Sequence, residues 1–170
     1  MSTQIEKVIQ DYIVRKGHAP KGIFTAVSNN DAALKDYKIT VDEHPLILVN
    51  KKKFLMNGKN NGLLITDRGI HFRVFPRAFF TSITMIWKKP IEGFSSFEQM
   101  RHFQIGEHDA CFGTAYVGHN LEIDHMVKGL VRMGTGIEYS EEIIEYINGL
   151  AEYLVSKHIL LDSPQEYAWQ

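Results

Sequence analysis

Five side chains with an affinity for borderline or soft metals fall between residues 102 and 125: His102, His108, Cys111, His119 and His125, with Glu107, Asp109 and Asp124 interspersed. Zinc chemistry needs three or four such groups converging within bonding distance, and a catalytic zinc also keeps one position open for water. His108-x-x-Cys111 supplies two ligands at a workable spacing. No HExxH, paired CxxC or H-x-E…C-x-x-C signature accompanies it. Alternation along a strand also sends successive side chains to opposite faces. Turn and surface roles therefore rank ahead of a metal centre, and a small metal-dependent hydrolase built on His108, Cys111 and His119 stands as the alternative to a binding protein.

Nucleophilic and nucleotide chemistry find less support. Cys111 sits in ACFGTAY, a strand-like stretch where a buried thiol behaves as a small apolar group. No serine occupies a G-x-S-x-G elbow. Gly134 and Gly136 lack the lysine and the strand-to-helix context of a phosphate loop, and their expected role is to end the sheet region.

Charge is distributed unevenly. From Lys51 to Lys89 nine cations face the one acid Asp67, a net of +8, leaving -9 for the remainder of a chain whose formal charge is -1. Lys51, Lys52, Lys53, Lys59 and Arg73 are the candidate ligand-binding residues, an anion-binding rim. The competing reading is a solvated lysine cluster that blunts a strand edge. Phe72, Phe75, Phe79, Phe80 and Trp87 interleave with Arg73, Arg77 and Lys88 as stacking platforms do. Period-two alternation nevertheless puts Phe72 with Ile70 and Val74 on a core face, so no nucleic-acid partner is expected.

Those residues need a scaffold. The 170 residues, 44% hydrophobic and 23% charged, suit one soluble domain with a single core. The one cysteine precludes an intramolecular disulfide, and the start MSTQIEKVIQ has no apolar signal core, which together point to the reducing cytoplasm. PLILV, GLLI and HILL are far shorter than the roughly 20 residues of a membrane helix, so no transmembrane segment is expected.

Ile5, Val8, Ile9, Tyr12 and Ile13 make a helical stripe over residues 3–16, opened by a Thr3-x-x-Glu6 capping box and ended by Gly17 and Pro20. This helix either covers a sheet edge or forms a homodimer contact. A short helix is expected over Asn30 to Tyr37. PLILVN, GLLIT, IHFRVF and SITMIW then read as strands, followed by FEQMRHFQI, CFGTAYV, LEID and KGLVRM, with a turn at Gly118-His119-Asn120. Asp67-Arg68 form a tight hairpin turn in which Gly69 supplies a positive φ. Ser140, Glu141 and Glu142 start a final helix with an apolar stripe from Ile143 to Val155.

The order helix, small helix, about seven strands and long helix, with the hairpin Gly58-Lys59-Asn60-Asn61-Gly62-Leu63-Leu64-Ile65-Thr66-Asp67-Arg68-Gly69-Ile70, resembles the bacterial pleckstrin-homology-like (PH-like) domain family. Relative to the family pattern, one extra residue lies between its first two glycines. The resemblance covers residues 30 to 156. It implies an α+β fold, a bent antiparallel barrel capped by the C-terminal helix, with residues 1–28 as N-terminal helix and connector, 29–157 as the PH-like domain and 158–170 as a tail. It places Lys51 to Lys53 in the first barrel loop, where each cation contributes about 1 kcal/mol toward an anionic surface. It carries no catalytic residue and no cofactor. The implied role is a non-enzymatic binding or regulatory module for a protein or peptide partner, an acidic one by charge, engaged through the basic rim and a sheet edge. An anionic-lipid module and an immunity or inhibitor protein are the further alternatives.

Overall fold

The N-terminal stripe folds as helix α1 (Gln4–Lys16). Thr3 caps it by accepting from the Glu6 N–H at 3.0 Å, and Gly17 ends it at φ 70°, a left-handed conformation that glycine adopts without steric cost. The computed structural model describes residues 3–53, 60–74, 91–110, 117–135 and 137–161. Within them run β1 (Ile23–Phe24), a 3-10 helix (Ala32–Asp36), β2 (Pro45–Lys53), β3 (Asn60–Thr66), β4 (Gly69–Val74), β5 (Ile91–Ser96), β6 (Met100–Ala110), β7 (Val117–His125), β8 (Gly129–Gly134) and helix α2 (Glu141–Ser156).

The fold is α+β with two antiparallel sheets. Strands β1 to β5 follow one another in a five-stranded meander, and β6 to β8 form a three-stranded one. Among the described residues these sheets do not close into the single barrel of about seven strands that the family resemblance implies. No described helix is long and apolar enough to cross a membrane.

The main hydrophobic core lies between the two sheets and the two helices. Ile47, Leu63, Ile65 and Ile70 of the larger sheet meet Phe103, Ile105, Leu121 and Ile123 of the smaller one, and Ile147, Leu150 and Leu154 of α2 complete it with Ile9 and Tyr12 of α1. Each such side chain contributes about 1.5–3 kcal/mol when fully buried. Helix α1 packs on α2: the Tyr12 hydroxyl donates to the Tyr146 carbonyl at 2.7 Å, and the two rings meet edge to face. From α2, Asn148 accepts from the Ile105 N–H at 2.8 Å and donates to the Ile105 carbonyl at 3.2 Å, so it occupies the outer backbone edge of β6.

Several expectations are corrected. Lys51, Lys52 and Lys53 extend β2, with Lys52 opposite Asn61 and Lys53 opposite Asn60, where a loop was expected. Neither glycine nor proline interrupts the run, and pairing resumes at Lys52 after a register shift that follows Val49. Gly118, His119 and Asn120 lie inside β7, with Gly118 opposite Asp109 and His119 opposite His108, and make no turn. IEGFSS, weak in strand formers, is β5. Phe97 to Gln99 form a 3-10 turn before β6. Gly69 is not in the left-handed region. It is required because a Cβ there would collide with the Ser95 carbonyl oxygen of β5. SITMIW falls outside the described residues.

Candidate functional site

The larger sheet has two faces, and the alternation of β4 assigns its side chains to them. Ile70 and Phe72 turn toward the main core. The other face of the sheet is covered by residues 27–39, whose Val27, Ala33, Leu34, Tyr37 and Ile39 pack on Leu48 and Leu64. His71 and Arg73 point to that face, and both are buried.

His71 belongs to a closed network. Its Nε2 lies 2.6 Å from Glu43 Oε1, which also accepts from Thr66 Oγ1 at 2.6 Å, while Glu43 Oε2 accepts from the Thr40 N–H at 3.2 Å. Burial alone would raise the Glu43 carboxyl, but the bonds from His71 and Thr66, the charge of His71 and the Thr40 N–H outweigh it and hold the carboxyl at about 2. Thr66 also organises the hairpin turn, accepting from the Arg68 and Gly69 N–H groups. Its hydroxyl donates to the acid and not to the histidine, so the trio is no nucleophilic relay.

Arg73 is different. It is 2% exposed, and its ion pair with Glu92 is loose, Nη2 to Oε1 at 3.5 Å. Among the described residues its Nε and Nη1 are buried without an acceptor. The Tyr37 hydroxyl is likewise buried without a hydrogen-bond partner, and its pKa is pushed up by burial first and the Asp36 charge second, against a smaller opposing effect of Arg73. Lys38 completes the group from the surface, its Nζ 2.9 Å from Glu92 Oε2. Lys38 holds φ 54°, a left-handed conformation that costs a non-glycine residue about 1–2 kcal/mol. Beside these residues opens a cleft of about 200 Å³ lined by Asp36, Tyr37, Lys38, His71, Phe72, Glu92, Gly93 and Phe94. Phe94 is 46% exposed and lies against the His71 ring, giving the cleft an apolar wall.

The expected basic rim is thus only partly visible. Arg73 is a buried cation and not a rim residue. The side chains of Lys51, Lys52 and Lys53 and all of Lys59 lie outside the described residues, as do Phe75, Arg77, Phe79, Phe80, Trp87 and Lys88. Lys38, Tyr37 and Glu92 were not singled out from sequence, because nothing in their spacing relates them to Arg73.

His102, His119 and His125 are occupied separately. His102 Nε2 faces Glu152 Oε1 at 3.3 Å, His119 Nδ1 accepts from the Tyr139 N–H at 3.0 Å, and His125 Nδ1 accepts from Val127 and Lys128 in the β7–β8 turn. Asp124 faces Arg101 at 3.8 Å. The side chains of Glu107, His108 and Asp109, and the whole of Cys111, lie outside the described residues. Among the described residues none of these groups converges on a common centre. No family model matches the chain, and no curated protein or solved structure matches it either.

Proposed function

We propose that the chain is a non-enzymatic binding module that seats an acidic group of a protein or peptide partner at the Arg73–Tyr37–Lys38 cleft. The observation that carries this reading is the buried guanidinium with two nitrogens lacking an acceptor. A buried donor left unsatisfied costs about 1–3 kcal/mol, and more when charged, so a carboxylate brought by a partner has a large unmet demand to satisfy. The Tyr37 hydroxyl adds a third donor. Phe94 offers apolar contact to the residue carrying the acid. Lys38, exposed and already beside Glu92, would help draw an anion in. Strand β5 ends the larger sheet next to this cleft, which suits an extended peptide adding along the edge. A PH-like relationship is part of the same proposal and rests on the hairpin and on a C-terminal helix packed against the sheets.

The test is fluorescence anisotropy of labelled Glu- and Asp-rich peptides against the full chain at low and high salt. Binding at low salt is expected, with Arg73→Met weakening it at least about tenfold, equivalent to 1.4 kcal/mol. Replacing a poorly paired buried charge by an apolar side chain of similar length is often neutral or stabilising, so Arg73→Met should fold. Peptides that fail to bind, or that bind Arg73→Met equally well, would refute the proposal.

A further inference from the structure

On the side of the larger sheet nearest α1, three elements each bring one potential metal ligand to a common point. Glu6 comes from the first turn of α1, His44 precedes β2, and Asp67 sits in the β3–β4 turn. One ligand atom from each lies within 4.8 Å of the others, and His44 Nδ1 is 3.0 Å from Glu6 Oε2. We propose that Glu6, His44 and Asp67 form a binding site for a divalent transition-metal ion, with zinc the best-matched metal. The site is independent of the anion cleft at Arg73.

The strongest observation is Asp67. It is 2% exposed; its Oδ1 accepts from the His44 N–H at 2.9 Å, while its Oδ2 is buried with no hydrogen-bond partner among the described residues. Buried carboxylate oxygens are ordinarily satisfied by donors or by a cation. The Asp67 N–H in turn donates to the His44 carbonyl at 3.0 Å, so two backbone-anchored bonds fix these residues against each other before any ligand arrives. Glu6 is oriented as well, its Oε1 accepting from Gln10 Nε2 at 3.1 Å. Such outer bonds hold ligands in place and sharpen affinity.

Ligand chemistry selects the metal. One imidazole nitrogen with two carboxylate oxygens is a borderline set that suits zinc better than magnesium or calcium, which prefer oxygen alone. Donors about 2.1 Å from a tetrahedral zinc lie about 3.4 Å apart, so a spacing of up to 4.8 Å closes when two side chains each move by roughly 0.7 Å. Metal would replace the proton on His44 Nδ1, and that proton would leave to solvent. Three protein ligands leave a coordination position for water. Glu6 and His44 also border a cleft of about 540 Å³ shared with Gln10, Pro45 and Leu46, which provides an entry path.

The experiment is isothermal titration calorimetry of zinc chloride into chelator-stripped full-length protein, with Asp67→Asn and Glu6→Gln compared. Asp67→Asn keeps the oxygen that accepts from His44, and Glu6→Gln preserves the helix cap made by Thr3, so both should fold, as circular dichroism will check. One equivalent of zinc, a raised Tm on binding and at least about a tenfold loss of affinity in each variant are expected. Cobalt substitution separates this site from any centre at Cys111: a nitrogen and oxygen ligand set gives no thiolate-to-cobalt charge-transfer band. Absence of zinc binding, undiminished binding by the folded variants, or a thiolate band would each overturn the proposal.

Discussion

Replacing Glu43 by glutamine keeps its volume but halves its capacity to accept. Four donors converge on this carboxylate: Thr66 Oγ1 and His71 Nε2 on one oxygen, each at 2.6 Å, and the Thr40 N–H and hydroxyl on the other at 3.2 and 3.4 Å. A glutamine offers one acceptor oxygen, so its NH2 group must face a pair of donors whichever way the amide lies. If the oxygen stays with Thr66 and His71, the Thr40 N–H loses its acceptor, the Thr40 hydroxyl must turn to accept from the amide, and the bonds that remain are neutral. Bonds to a charged group are worth about 1.5–3 kcal/mol and neutral ones about 0.5–1.5, so the substitution should cost about 3 kcal/mol. The acid limb gives a matching figure. Glu43 is held at about 2 against an ordinary 4.5, a shift equivalent to about 3 kcal/mol. Because the folded value lies below the unfolded one, this stability is complete above about pH 4.5 and is lost as pH falls through about 2. Urea unfolding followed by circular dichroism, with chelator present, measures both. Glu43→Gln should lower the unfolding free energy by about 3 kcal/mol at neutral pH, lower Tm by about 6–12 °C, and flatten the acid limb. A variant within about 1 kcal/mol of wild type would refute the reasoning, given the error of such extrapolations.

Three further substitutions test the packing. Gly69→Ala places a methyl group against the Ser95 carbonyl and should cost at least about 1–3 kcal/mol by thermal unfolding, although the backbone angles there would tolerate alanine. Asn148→Ala removes both bonds to Ile105 and should cost about 1–2 kcal/mol in urea midpoint, even though alanine is the better helix former. Tyr12→Phe deletes only the bond to the Tyr146 carbonyl, and the expected loss is about 1 kcal/mol with no change in the urea m-value.

What sequence could show was local. The hairpin from Gly62 to Val74 follows from alternation and a turn signal only a few residues wide, and α2 follows from its stripe and from Ser140. Alternation also separated Phe72 from Arg73 correctly. It could not say that the far face of the sheet is covered by residues 27–39, and that covering turns Arg73 from a surface cation into a buried one. Glycine misled in two ways: Gly69 is demanded by a neighbouring strand 26 residues on, and Gly118 lies within a strand. Glu6 was legible as a capping residue, yet its carboxylate is used at His44, 38 residues away. Relations at such separations leave no periodic signature in a single chain.

The contact between α1 and α2 has a further consequence for synthesis. Tyr12 finds its partner 134 residues later in the chain. At about 5–20 residues per second, the ribosome needs roughly 7 to 27 s to supply that partner. Throughout that interval Ile9 and Tyr12 have no α2 to pack on, and the nascent chain leaves the apolar side chains of this segment uncovered. Such side chains are the kind of surface that holding chaperones recognise. The fold therefore completes late in synthesis, and deletions that delay or remove α2 should shift the protein toward aggregation during translation more than equilibrium stability alone would suggest.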